Sequence, residues 1–247
     1  MWANYATSWS IWNVNLIIPN NLNFDTWDEV KLWASENQHT LPALTVNQLY
    51  KVGQRRYPTD AFTVGQLASK VWLTSVVFEA LGILDTQDDI AYLGCWIGTL
   101  ASWASIAFHA HRVFGFDSDP SSIDMADDYN SDMVEDNWRF KGVVADVNVI
   151  DWNDPEFVVD GELITDFVPD VIINTSAEHM SDDWFMTASK NTLVIMQSNN
   201  NPRFDGHINC VDSVETMREQ YPMKNVMYAG SLTTPAYTRF MQIGYPA

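Results

Sequence analysis

Three stretches of this 247-residue chain place reactive or ligand-binding side chains at the ends of short apolar runs. The first is Tyr92-Leu93-Gly94-Cys95-Trp96-Ile97-Gly98, where an apolar run leaves through a glycine. Glycine at such a point lets the backbone come close to a ligand. The second is Phe114-Gly115-Phe116-Asp117-Ser118-Asp119-Pro120. Asp117 follows Gly94 by about 23 residues, near the spacing of about 20 that separates a glycine turn from a ribose-binding acid. A carboxylate there can accept hydrogen bonds from both ribose hydroxyls. It can also simply cap the next helix, a role open to Ser118 and Asp119 as well. The third stretch is Ala145-Asp146-Val147, whose acid can accept from an adenine amino group. Two other nucleotide motifs are excluded. The dinucleotide fingerprint needs glycine where Trp96 and Thr99 stand, and the phosphate loop needs a Gly-Lys-Ser/Thr that is absent.

Two later edges are richer in polar groups. Val171-Ile172-Ile173 runs into Asn174-Thr175-Ser176-Ala177-Glu178-His179-Met180. His179 is the first candidate for a general base and Glu178 the second, with Asn174 beside them. The competing use is a helix start capped by Ser176 or Ser181. The next run ends in Gln197-Ser198-Asn199-Asn200-Asn201-Pro202, followed by His207-Ile208-Asn209-Cys210. Ser176, Asn199 and His207 are candidates for holding a polar substrate, although Asn-rich turns are common in their own right. His179, His207 and Cys210 fit no zinc spacing, so no metal site is expected.

The elements that must position these residues alternate in type. Helices are expected at Thr26–Ser35, capped by Asp25, and at Thr45–Val52. Val64, Leu67, Val71, Leu73, Val77, Phe78 and Leu81 recur at helical spacing, which predicts a helix over Thr63–Leu81 ending at Gly82. Gln66, Ser69 and Lys70 read as its solvated face. Strands follow at Ile90–Leu93, Arg112–Phe116, Gly142–Ala145, Asp170–Ile173 and Thr192–Met196. Between them lie helices at Thr99–Ala110, Pro120–Tyr129 (with proline in the first turn) and Asp182–Ser189. Continuous apolar strands alternating with helices imply a parallel sheet buried on both faces. Val226–Ser231 and Tyr237–Ile243 flank Thr234-Pro235 and read as a hairpin.

These residues together resemble the class I S-adenosylmethionine (SAM) dependent methyltransferases, over about two-thirds of the chain. The family's first motif often reads Leu-Gly-Cys-Gly-x-Gly after a strand, and Leu93-Gly94-Cys95-Trp96-Ile97-Gly98 matches it except at Trp96. Asp117 matches the family's ribose acid and Asp146 the acid near the adenine. The resemblance implies a doubly wound, mostly parallel seven-stranded sheet with a C-terminal antiparallel hairpin, and a helical or irregular N-terminal region. It places residues 1–62 in that extension and 63–247 in the SAM-binding domain. It implies SAM as cofactor, contacted by Tyr92, Gly94, Cys95, Trp96, Gly98, Asp117, Ser118, Asp146, Val147 and Asn174. It implies methyl transfer to a small molecule or a protein side chain. A helix like Thr63–Leu81 often lids the cofactor in this family. Two positions depart from the pattern. Tyr92 stands where an acid usually orients the methionine end, and Trp96 replaces a glycine. They leave open a SAM-binding protein that does not methylate. Asn174-Thr175-Ser176 lacks the Asn-Pro-Pro-Tyr of relatives that methylate amino groups of bases.

Bulk composition agrees with a folded domain. Apolar residues make up 47% and aromatic residues 13%, enough for a buried core rather than disorder. A net charge of −19 repels phosphate backbones, so nucleic acid is not an expected partner. That charge suits solubility, and it also attracts a cationic ligand. Cys95 and Cys210 make no disulfide framework and are expected as free thiols in a cytoplasmic protein. No basic N-terminal leader and no membrane-length apolar run is legible.

Overall fold

The computed structural model describes residues 21–23, 28, 29, 32, 57–81, 89–101, 110–135 and 138–247. Most of the helices expected at Thr26–Ser35 and Thr99–Ala110, and all of Thr45–Val52, lie outside these residues. The strands are β1 (Asn21–Asn23), β2 (Asp89–Leu93), β3 (Arg112–Asp117), β4 (Phe140–Val144), β5 (Phe157–Val159), β6 (Glu162–Ile164), β7 (Val171–Asn174), β8 (Leu193–Asn199), β9 (Met223–Thr233) and β10 (Thr238–Pro246). The helices are α1 (Val64–Leu81), α2 (Pro120–Tyr129), α3 (Ser131–Glu135), α4 (Asp183–Thr187) and α5 (Val214–Gln220).

One eight-stranded sheet runs in the order β1-β9-β10-β8-β7-β2-β3-β4. Strands β4, β3, β2, β7 and β8 are mutually parallel, and β10 is antiparallel to both β8 and β9. These are the seven strands expected. An eighth, the three-residue β1, pairs parallel to β9 and covers what would be an open edge. β7 and β8 are buried at every residue, which is why they read as unbroken apolar runs.

Successive side chains of each strand face opposite layers. Ile90, Tyr92, Ile173 and Ile195 pack with Ile123 of α2 and Leu67, Val71 and Trp72 of α1. Ala91, Leu93, Ile172 and Val194 pack the other way, with Trp184, Met217 and the β5–β6 hairpin. Edge-on aromatic contacts hold that hairpin, with Phe157 centred 5.0 Å from Phe116 and 5.2 Å from Phe114.

Four elements were not legible in the sequence: β1, α3, the β5–β6 hairpin and α5. One surface also differs from the sequence reading. Every residue of α1 from Leu67 to Val77 is buried, Ser69 and Lys70 included. The reading of a solvated face is therefore overturned for Ser69 and Lys70, while Gln66 is half-buried. A helix that is apolar nearly all round is a buried helix. Trp72 Nε1 donates to Tyr228 Oη at 3.0 Å, and Gln197 Nε2 on β8 donates to the Ser69 carbonyl at 3.1 Å.

Candidate functional site

From β2 the chain builds β3 and β4 to one side, then returns to build β7 and β8 on the other. The connections after β2 and β7 diverge, and a crevice opens at the carboxyl ends of the strands. The Gly94 turn sits at that switch point. Gly94 has φ +57°, and a Cβ built on it would lie 3.0 Å from both Met180 Cε and Ser176 Cβ. Backbone conformation and space thus both require glycine. Trp96 has φ +50°, the left-handed region that glycine enters freely and other residues enter at a cost of about 1–2 kcal/mol. This accounts for the glycine usual at that position in the resembled family. Gly98, at φ +65°, faces α2, where Asn130 Nδ2 donates to its carbonyl at 3.2 Å.

Asp117 closes the turn from β3. Its Oδ2 accepts from the Trp96 amide at 3.0 Å and its Oδ1 from the Asp119 amide at 3.0 Å. Each oxygen keeps a second acceptor site for a ligand. Helix capping falls to Asp119, which accepts from the Ser121 amide at 2.9 Å. Asp146 is exposed after β4, where Oδ1 accepts from the Asn148 amide at 3.0 Å.

The edges of β7, β8 and β10 meet in a buried ionic knot. Glu178 Oε1 accepts from Arg239 Nη2 at 3.0 Å and from Asn199 Nδ2 at 2.6 Å. Arg239 Nη1 donates to the Thr175 carbonyl at 2.6 Å, and the Thr175 hydroxyl lies 3.3 Å from Tyr92 Oη. The side chains of Arg239 and Glu178 are only 3% and 1% exposed, so removing either partner would strand a charge at a cost of about 3–5 kcal/mol. The Glu178 carbonyl also accepts from the amides of Ile208 and Asn209 at 2.9 and 3.0 Å, which docks the loop after β8 onto the loop after β7. His179 and His207 come together as a result, ring centroids 4.4 Å apart and edge to face.

A cavity of about 1190 Å³ joins these features. Of the expected site residues, Tyr92, Gly94, Cys95, Trp96, Asp117, Ser118, Asp146, Val147, Ser176, Glu178, His179, Asn199 and His207 line it. Asn174 and Gly98 do not. Asn174 is fully buried beneath the loop, where Oδ1 accepts from the Ser176 amide at 2.9 Å and Nδ2 points at Met180 Sδ. Lys70, Thr175, Phe204, Tyr237 and Arg239 also line the cavity, and the sequence reading had not assigned them to it. Arg239 did leave a signal, an arginine within the apolar run Phe240-Met241 of a strand.

Electrostatics differ between the two ends. Burial, reinforced by the neighbouring Arg239, pushes the Lys70 ammonium down to about 7, against the opposing pull of Glu178. Partial desolvation lowers the His179 imidazole below its usual value, against the pull of Glu178. Burial raises the Tyr92 phenol and the Cys95 thiol, so both stay protonated. Cys95 and Cys210 are free thiols. Glu178, His179 and His207 each offer one ligand atom within 4.8 Å of the others. A guanidinium 3.0 Å from that carboxylate opposes a second cation there. The arrangement therefore suits hydrogen bonding and proton transfer better than metal coordination.

No family model matches the chain, and no curated protein matches it in sequence. Solved structures match it in fold. A putative RNA methyltransferase from Pyrococcus horikoshii matches with TM-score 0.52 and 13% identity, covering 86% of this chain and 96% of its own. The N-methyltransferase NodS from Bradyrhizobium japonicum WM9, in complex with S-adenosyl-L-homocysteine (SAH), matches with TM-score 0.53 and 10% identity, covering 82% and 97%. Magnesium protoporphyrin IX methyltransferase from Synechocystis PCC 6803, with bound SAH, matches with TM-score 0.53 and 14% identity, covering 89% and 97%. The chain has the fold of class I SAM-dependent methyltransferases.

Proposed function

We propose that the protein binds SAM across the ends of β2, β3 and β4 and transfers its methyl group to a small molecule or a protein side chain. One observation carries this reading. A single cavity runs from the Gly94 turn, Asp117 and Asp146 to the polar groups at the ends of β7, β8 and β10. The residues fit the cofactor. Gly94 turns the backbone along the cavity wall with no side chain of its own, and the Asp117 carboxylate retains acceptor sites for two hydroxyls. Two of the structural neighbours carry SAH, which supports the cofactor class.

Bound SAM supplies an electrophilic methyl on a sulfonium, so the protein's main task is to position the acceptor. Asp117 would hold the ribose and Asp146 the adenine edge. Trp96 would wall the cavity beside the glycine turn. His179, exposed to the cavity and backed by His207, would accept a proton from the acceptor when the nucleophile must lose one. Its lowered pKa keeps the imidazole neutral, the form a base needs. Glu178 is held by Arg239 and Asn199, so it would position the loop rather than exchange protons.

Tyr92 motivates a second reading. A buried phenol, not an acid, stands near the expected methionine end. That suits a SAM-binding protein that does not methylate. The test is SAH release from SAM in the presence of a metabolite extract or a protein extract. Release with either extract supports transfer. SAH binding without release from any extract would favour the second reading, and failure to bind SAH would defeat both.

A further inference from the structure

Two cations are buried in the wall of the cavity where it meets β10. Lys70 is 4% exposed and Arg239 is 2% exposed. Between them the wall holds one carboxylate, Glu178, whose Oε1 already takes Arg239 Nη2 and Asn199. Among the described residues Lys70 forms no ion pair, although Glu178, whose Oε2 is unpartnered, attracts it from a distance. Its Nζ donates to Gln66 Oε1 at 2.9 Å and approaches the Gln66 carbonyl at 3.4 Å, both neutral. Arg239 Nε has no hydrogen-bond partner at all. Buried charges are normally paired, and leaving one unpaired is costly. Excess positive charge is the more unusual in a chain of net charge −19. Beside these cations lies an apolar shoulder. The Tyr237 ring lies 5.4 Å from the Arg239 guanidinium and 6.1 Å from the Phe204 ring.

We propose that the acceptor is a small molecule bearing a carboxylate, and that Lys70 and Arg239 seat this group with its apolar body against Tyr237 and Phe204. The identity of the occupant rests on the methyl-transfer reading, but binding of a carboxylate does not. The arriving anion supplies the ion-pair partner that Lys70 lacks. It also offsets the repulsion between these cations and a sulfonium bound nearby. Position favours the acceptor over the cofactor's own carboxylate. Arg239 is on β10, four strands from Asp117 on β3, and its guanidinium reaches back only as far as the Thr175 carbonyl after β7. Lys70 enters from α1, which packs on the β9 side of the sheet. The burial of both cations, 4% and 2% exposed, also favours a free small molecule over an exposed protein side chain.

The test is calorimetry with benzoate and its neutral analogue benzamide, on SAH-saturated and on SAH-free protein. Benzoate is expected to bind SAH-saturated protein at least tenfold more tightly than benzamide. Lys70→Met should abolish that preference and Lys70→Arg should keep it, with thermal melts verifying that both variants fold. If benzoate binds no better than benzamide, or Lys70→Met leaves the preference intact, the seat does not exist. If Lys70→Met instead weakens SAH but not 5′-methylthioadenosine, which lacks the amino-acid end, the cations serve the cofactor and the proposal is overturned. If SAH does not bind but the benzoate preference persists on SAH-free protein, the methyl-transfer reading falls and the seat stands.

Discussion

Asp117 does two jobs with one carboxylate, and its structural job is visible: it ties the Trp96 amide to the end of β3. Its binding job is measurable. Asp117→Ala removes a charge-assisted pair of acceptors and should weaken SAH by about 1.5–3 kcal/mol. Calorimetry on variant and wild type decides it, and equal affinities would remove Asp117 from the ribose site. His179 makes the complementary prediction. His179→Ala should leave SAH affinity within a few-fold and lower turnover by about 10²–10⁴-fold, the span of a lost general base. Because desolvation lowers its pKa, the neutral base persists below the ordinary value of 6.5. Activity should therefore fall only as pH drops beneath 6.5, and a wild-type acid limb centred above that value would exclude His179 as the base. The residues of this site were unevenly legible. Gly94, Asp117, Asp146, Glu178 and His179 each lie at or just past the end of a strand, where a one-dimensional reading looks first. Lys70 and Arg239 lie within α1 and β10, and only the folded sheet brings them to the same wall as Glu178.

At the scale of elements, helix Pro120–Tyr129 was read with the bounds it has, and the strands of the sheet were found because two-sided burial leaves unbroken apolar runs. The β5–β6 hairpin escaped although Asp160-Gly161 marks its turn, with φ of +50° and +86°. Three-residue strands are too short to show alternation. The period of α1 predicts the helix but does not tell a solvated side from one buried by polar contacts. The burial of α1 carries a testable consequence through Lys70. The ammonium titrates at about 7 in the folded protein against 10.5 for the free group. Between those values the unfolded chain binds more protons than the folded one, so stability rises as pH increases through that window. The slope approaches about 1.4 kcal/mol per pH unit from this one group. Denaturant unfolding between pH 7 and 10 should show that rise in wild type. Lys70→Met should be more stable than wild type at pH 7 and lack Lys70's contribution to the slope. Identical slopes in the two proteins would mean that Lys70 is not desolvated.

At the scale of the molecule, charge is the dominant feature. The 13 lysines and arginines face 32 aspartates and glutamates. Several of those cations are already engaged: Arg112 with Asp89, Lys141 with Asp127 and Asp160, and Arg239 with Glu178. Nonspecific nucleic-acid affinity comes largely from phosphate neutralisation by free basic groups. Duplex DNA and single-stranded RNA should therefore pass unretained in a shift assay at physiological salt, and submicromolar retention would contradict this. The same field should act in the opposite sense on the cofactor. SAM carries a sulfonium and is a net cation, whereas SAH is neutral overall. Asp60, Asp117, Asp146 and Asp205 all line the cavity, so the local charge there has the sign of the whole. A field of this kind accelerates encounter with a cation and is screened over about 8 Å at physiological ionic strength. Raising salt from 20 to 500 mM should slow SAM association several-fold in stopped-flow measurements and leave SAH association nearly unchanged. Equal salt dependence for the two would show that the surface charge serves solubility alone, and that Lys70 and Arg239 cancel it at the site.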